Sequence, residues 1–244
     1  VESRAAVPMS DPGAGYSHDE AVLEAQRCLL CECLECVKVC EYLAHYRSHP
    51  KRYVREIYNN LSIVAGQRHS NQFINSCSLC GLCATVCPTD LNMATICRQA
   101  RQTMVEQRRM PPSAHDFALR DMAFSTGEKF ALVRHEPGTT GSEYLFFPGC
   151  QLAGSAPEQV EAVYGYLRER LSGGVGLALG CCGAPADWAG REVLCQEVID
   201  DLSARFQEMG SPRLILACSS CHQVFKAHLP QYELISLWEL FSSL

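Results

Sequence analysis

Five cysteines between residues 150 and 221 fall in an unusual pattern. Cys150 is followed after thirty residues by Cys181-Cys182-Gly183, and after thirty-four more by Cys218-Ser219-Ser220-Cys221. An adjacent Cys-Cys pair sits poorly in a tetrahedral zinc site, and five thiolates exceed what one zinc or one cubane cluster needs. The pattern therefore asks for a larger soft-metal unit. Upstream, Cys77, Cys80, Cys83 and Cys87-Pro88 have the spacing C-x2-C-x2-C-x3-C-P. Three thiolates at such short intervals wrap three corners of a 4Fe-4S cube, Gly81 gives the backbone room to turn, and the fourth cysteine reaches a second cluster. That second cluster needs its own cysteines, and a less regular group supplies them: Cys28, Cys31, Cys36 and Cys40, with Cys33 extra and Glu41 in the place of proline.

Sixteen cysteines in 244 residues, clustered two and three apart, are wrong for a secreted disulfide framework and right for metal thiolates in a reducing compartment. No stretch approaches the roughly 18–20 apolar residues of a membrane span, and no signal-peptide pattern opens the chain. A soluble cytoplasmic protein is expected, with peripheral docking on a membrane partner left open. Val1 in the first position is expected of a trimmed start or of a preceding segment. A net charge of −6 argues against nucleic acid as a partner. Residues 1–110 carry 12 Lys/Arg against 11 Asp/Glu, leaving 9 against 16 in the remainder, which reads as an ordinary solvated surface.

The elements that must position these cysteines differ between the halves. Residues 1–20, rich in Pro and Gly, read as a mobile N-terminal arm. A short helix from Glu20 leads into the first group. Pro50 starts a helix with the stripe Val54, Ile57, Tyr58 and Leu61, and Met93, Cys97, Ala100 and Met104 mark one face of another, closed by Pro111-Pro112. Residues 111–143 read as a linker. Beyond it, apolar runs at 144–147, 175–179, 214–217 and 234–237 read as strands, with helices at about 156–171 and 191–209 between the first three. This alternation implies parallel βαβ units. Cys150, Cys181-Cys182 and Cys218 each fall just past a strand, where ligands of open parallel sheets collect. Cys97 and Cys195 lie on apolar helix faces and read as core residues. His222 reads as a surface or supporting histidine, and Asp187 and Trp188 as capping and packing groups.

Phe147-Pro148-Gly149-Cys150, Cys181-Cys182-Gly183-Ala184-Pro185 and Cys218-Ser219-Ser220-Cys221 resemble the CCG (cysteine-rich) domain of heterodisulfide reductase, in which five such cysteines hold a noncubane 4Fe-4S cluster. Iron-sulfur subunits of glycolate and anaerobic glycerol-3-phosphate dehydrogenases are related. The stretch from Glu24 to Cys31 resembles the iron-sulfur segment of glutamate synthase small subunits and dihydropyrimidine dehydrogenase, and this favours Cys36 as a ligand over Cys33. The first half is similar to the alpha-helical ferredoxin of heterodisulfide reductase, which that enzyme carries on a different polypeptide from its CCG domains. The resemblances imply an α+β two-domain chain. An alpha-helical two-cluster ferredoxin at 21–110 precedes an α/β CCG domain with a small parallel sheet at 144–244. Crosswise ligation gives Cys28, Cys31, Cys36 and Cys87 to one cubane and Cys77, Cys80, Cys83 and Cys40 to the other. The noncubane cluster falls to Cys150, Cys181, Cys182, Cys218 and Cys221, with zinc as the alternative there. The CCG polypeptide of heterodisulfide reductase carries two CCG copies and this chain one, so the same two-cluster route is not expected.

The chain has no G-x-G-x-x-G and no P-loop, so nucleotide and flavin are expected on a partner. The expected function is an iron-sulfur electron-transfer subunit of a heterodisulfide reductase-like oxidoreductase complex. Electrons pass from a flavoprotein or ferredoxin through two cubanes to the CCG site, where Cys181 and Cys182 are the candidate catalytic ligands and a disulfide the candidate acceptor. The alternative is a relay subunit of a flavin dehydrogenase or quinone-linked complex without substrate chemistry of its own. A metal-stabilised scaffold leaves eight ferredoxin cysteines unexplained.

Overall fold

A computed structural model describes residues 7–26, 31–64 and 66–243. The chain divides into two compact units, Val1–Pro111 and Pro112–Leu244. The described part of the first unit is built from helices α1 (His18–Gln26), α2 (Glu35–Val39), α3 (Glu41–His45), α4 (Pro50–Ser62), α5 (Arg68–Ser76), α6 (Leu82–Thr85) and α7 (Met93–Glu106). α7 buries the expected face: Met93, Cys97, Ala100 and Met104 all lie in the core. Its first turn is capped by Asn92, whose side chain accepts from the amides of Ala94 at 2.9 Å and Thr95 at 3.3 Å.

α4 begins at Pro50 as expected, but its buried face is rotated from the expected stripe. Tyr53, Ile57 and Asn60 point inward, whereas Tyr58 is 60% exposed. An aromatic contact decides this. The Tyr53 ring stacks on Phe73 at 4.2 Å between centroids, while its hydroxyl donates to the Leu43 carbonyl at 3.1 Å and accepts from the Ser48 amide at 2.7 Å. Such a contact outweighs a periodicity that Tyr58 satisfied equally well.

Residues 7–17, within the span expected to be a mobile arm, fold back on α1. The Val7 amide donates to Glu24 at 3.0 Å and the Ser10 amide to Glu20 at 2.9 Å. Ser17 and Glu20 form a capping box, each side chain accepting from the other's amide.

The second unit consists of α8 (Asp116–Thr126), β1 (Leu132–Arg134), β2 (Tyr144–Phe147), α9 (Cys150–Ser155), α10 (Pro157–Arg170), β3 (Val175–Leu179), α11 (Ala184–Trp188), α12 (Glu192–Glu208), β4 (Arg213–Leu216), α13 (Ser219–His228), β5 (Leu234–Ser236) and α14 (Leu237–Ser243). The sheet order is β1-β3-β2-β4-β5. The four expected strands pair in parallel, with Phe146 opposite both Leu177 and Ile215. β1 is an added antiparallel edge, Leu132 opposite Leu179, so the sheet is mixed rather than wholly parallel. The span 111–143, read as a linker, thus contributes a helix and a strand. α8 buries only Met122 and Ser125 and leaves Phe117 and Phe124 exposed, so it carries no apolar stripe, and β1 is three residues long.

Strand alternation sends side chains to two cores. Leu145, Phe147, Leu214 and Leu216 face α12 and α13, packing on Ile199, Phe206 and Phe225. Phe146, Val175 and Ile215 face the other way, onto Val160 and Leu167 of α10 and Leu237 of α14. Each such fully buried side chain contributes about 1.5–3 kcal/mol of apolar burial. From β2 the chain crosses to β3 on one side and then to β4 on the other. The carboxyl ends of these three neighbours form the point where strand order reverses, the usual crevice for a ligand.

Candidate metal centres

In the first unit, Cys31, Cys33, Cys36 and Cys87 line one pocket, walled by Leu34, Pro50 and Leu91. Cys28 lies outside the described residues. Cys87, last of the second cysteine motif, therefore sits with the first group. Of the two candidates for one position, Cys36 is buried and Cys33 is exposed. Burial, reinforced by Cys31, Cys87 and Cys83, pushes the Cys36 thiol up to about 11. Burial likewise raises Cys31. Burial also acts upward on Cys87, but the Thr89 hydroxyl at 3.4 Å and the Leu91 amide at 3.3 Å hold it below the ordinary thiol value.

The other set comes from element ends. Cys40 separates α2 from α3, Cys77 closes α5, Cys80 is exposed in the following loop, and Cys83 is buried in α6. Leu34 and Leu79 both take a left-handed backbone, φ 60° and 59°. For a leucine that conformation costs on the order of 1–3 kcal/mol, and both fall inside cysteine loops. Cys97 is fully buried on α7 as expected, yet its sulfur is also a hydrogen-bonding neighbour of Cys77, a contact its place on an apolar stripe concealed.

In the second unit the structure brings together all five cysteines of the CCG pattern. Their sulfurs form one chain of hydrogen-bonding contacts: Cys150 to Cys181, Cys181 to Cys182, Cys221 to Cys182 and Cys221 to Cys218. Cys150 follows β2 after two residues, Cys181 follows β3 after one, and Cys218 follows β4 after one. Cys218 is the N-cap of α13 and Cys221 lies in its first turn, so one helix terminus supplies two sulfurs. Two glycines permit the approach. Gly149 has φ +87°, and a Cβ there would stand 3.3 Å from both the Cβ of Cys218 and the sulfur of Cys221. Gly183 has φ +85°, with the Cys195 sulfur 3.5 Å from where its Cβ would be.

The electrostatics differ along this chain of sulfurs. Hydrogen bonds from Cys181 and Cys221 hold Cys182 well below the ordinary thiol value. The contact from Cys221, helped by the amides at the start of α13, draws Cys218 down to about 5. Cys150 is pushed up by donating to Cys181 and by burial, and Cys221 by donating to Cys182 and Cys218. For Cys181 the donation from Cys150 acts downward, but its own donation to Cys182 and its burial prevail, raising it to about 12. Five sulfurs in one run of contacts, with no imidazole or carboxylate among them, form a donor set for a soft, iron-rich unit.

Cys181 also borders a cavity of 220 Å³ with an apolar floor of Val133, Leu179 and Leu194 and with Asp201 and Arg205 among its polar lining. Asp201 and Arg205 pair across 2.8 Å. The cavity needs β1 beside β3, an edge strand that apolar patterning does not mark. His222 is half-buried one residue past Cys221, and its amide bonds the Cys218 carbonyl within α13. The Asp187 amide bonds the Gly183 carbonyl, and Trp188 is 37% exposed. No helix among the described residues is long and apolar enough to cross a membrane.

Residues 27–92 match the family model of a 4Fe-4S dicluster domain, and residues 144–226 that of a cysteine-rich domain, CCG. The B chain of the fumarate reductase (CoM/CoB) of Methanothermobacter marburgensis is 25% identical over 164 residues, 64% of this chain and 33% of that protein. The chain thus matches about a third of that relative's length. No solved structure matches. The cysteine groups and the two family matches fall on the same residues, and the chain is an iron-sulfur electron-transfer protein in which a 4Fe-4S dicluster domain precedes a cysteine-rich domain.

Proposed function

We propose that this chain is the electron-transferring subunit of a heterodisulfide reductase-like complex, taking electrons from a flavoprotein or ferredoxin partner and delivering them at the CCG site to a disulfide. Two 4Fe-4S cubanes would be held by Cys28, Cys31, Cys36 and Cys87 and by Cys77, Cys80, Cys83 and Cys40. A noncubane 4Fe-4S cluster would be held by Cys150, Cys181, Cys182, Cys218 and Cys221. When bound, such clusters supply one-electron transfer, and the noncubane cluster adds exchangeable iron.

The observation that carries this reading is the unbroken run of contacts among five sulfurs at the carboxyl ends of β3, β2 and β4. The chain's own residues do three things there. Gly149 and Gly183 let the loops close, the start of α13 lowers Cys218, and burial of Cys181, Cys182 and Cys221 excludes water. The cavity beside Cys181 supports a small-molecule acceptor over a pure relay, since a relay needs no ligand space at its last station. The relative's name, a subunit of a fumarate reductase (CoM/CoB), supports a multi-subunit redox complex.

The test is spectroscopic. In anaerobically prepared chain, an added disulfide or thiol should change the paramagnetic signal of the noncubane cluster and leave the cubane signals as they were. An unresponsive CCG signal, with turnover in a flavin dehydrogenase complex, would favour the relay reading. Zinc in place of the noncubane iron would remove both.

A further inference from the structure

Cys97 and Arg101 lie four residues apart on one face of α7, both buried, directly beneath the end of α5. The Arg101 guanidinium donates from Nε to the Ile74 carbonyl at 3.0 Å and from Nη2 to the Cys77 carbonyl at 2.6 Å. The Cys97 and Cys77 sulfurs are hydrogen-bonding neighbours, and with Cys77 bound to iron as a thiolate only Cys97 keeps a proton to donate. The Tyr42 hydroxyl, which donates to the Phe73 carbonyl at 2.7 Å, lies 3.6 Å from the Cys97 sulfur. A fixed cation and a thiol donor thus stand behind one cysteine of the second motif.

We propose that Cys97 and Arg101 are positioning residues that raise the reduction potential of the cubane held through Cys77. The proposal rests on Cys77 being a ligand of that cubane. Reduction adds one electron, from the flavoprotein or ferredoxin partner in the complex and from dithionite in the assay, and breaks no bond. The added electron makes a thiolate-ligated cluster more negative. A buried cation and an S–H donor to a ligand sulfur therefore stabilise the reduced form more than the oxidised one. Arginine stays charged in a protein interior, which makes it a permanent bias. At the other pocket, among the described residues, the donors to Cys87 are the neutral Leu91 amide and Thr89, and the cation beside Cys31, Lys51, is exposed to screening water. Among the described residues, the buried cation behind a ligand stands at Cys77, and that cubane is the one favoured to hold the electron.

The test is a dithionite titration of the full, anaerobically loaded chain, followed by paramagnetic resonance. Cys97→Ala should lower the reduced-to-oxidised ratio of one cubane at fixed ambient potential about tenfold, equivalent to about 59 mV for one electron, with the other cubane unmoved. Arg101→Gln should lower the same cubane, and Cys97→Ser, which keeps a donor, should recover part of the loss. Iron content should be unchanged throughout. Should Arg101→Gln not fold, Cys97→Ala decides. Unchanged potentials with full iron overturn the proposal, and so does loss of a cubane in Cys97→Ala, which would make Cys97 a ligand. Cys77→Ala separates the premise from the inference. If it retains both cubanes the ligand reading falls, whereas if it loses one while Cys97→Ala shifts nothing, only the inference falls.

Discussion

The two halves of this molecule hold cysteines at different depths. In the first unit Cys33 and Cys80 are exposed while Cys36 and Cys83 are buried, and the motif cysteines lie in loops, in helices of four or five residues, or at the end of α5. In the second unit no cysteine is exposed. Cys181, Cys182 and Cys221 are buried behind strands and helices contributed from more than seventy residues of chain. The difference teaches a division of labour. Sulfurs near the surface suit electron exchange with a partner, which needs proximity and no ligand space. Sulfurs buried at a sheet edge beside a cavity suit chemistry that must exclude water.

The sharpest way to break this contrast is to disable the buried site. Cys181→Ser or Cys182→Ser should abolish turnover of the reconstituted complex while both cubanes remain reducible by dithionite. Retained full turnover would make the second unit structural and place the working end at the cubanes. Next in size is loss of a single cluster in the exposed half. Cys36→Ser and Cys87→Ser should each remove the same cubane, about four iron per chain, although they lie in different motifs. Cys33→Ser should leave both, and a missing cubane in that variant alone would exchange the roles of Cys33 and Cys36.

A smaller effect is expected from backbone geometry. Gly149→Ala places a Cβ against Cys218 and Cys221 at a left-handed φ and should destabilise the second unit by about 1–3 kcal/mol, read as a lower denaturation midpoint. It should also depress iron at the CCG site without touching the cubane signals. The smallest is Asn92→Ala, which removes the cap of α7 and should cost the first unit about 1 kcal/mol with the second unit's transition unmoved. A transition in which both units shift together under either substitution would show that they do not melt independently.

Much of this was readable from residue order, because the informative signals are local. The C-x2-C-x2-C-x3-C-P run needs only its own spacing, and β2, β3, β4 and the helices α10 and α12 follow from apolar periods that burial on both faces demands. The readings that missed did so where the local signal was weak or ambiguous. α8 has no stripe, β1 is too short to alternate, and Tyr53 and Tyr58 were equivalent until Phe73 was placed beside one of them. Ser17 and Glu20 did carry a local signal, the capping box, and it marks the start of α1.

Residue types and spacing by themselves marked this chain as an iron-sulfur protein with two cysteine-rich halves, since thiolates at the intervals of the first half match a 4Fe-4S motif and an adjacent Cys-Cys pair in the second suits no simple zinc site. Only the tertiary structure decided which distant groups meet. It put Cys87 with Cys31 and Cys36, ran five sulfurs together across the ends of three strands, opened a cavity beside Cys181, and set Arg101 under Cys77. Spacing governs contacts within a loop or a helical turn. Contacts between residues thirty or more apart depend on strand order and on which helix face is buried, and those are settled by packing the whole core at once.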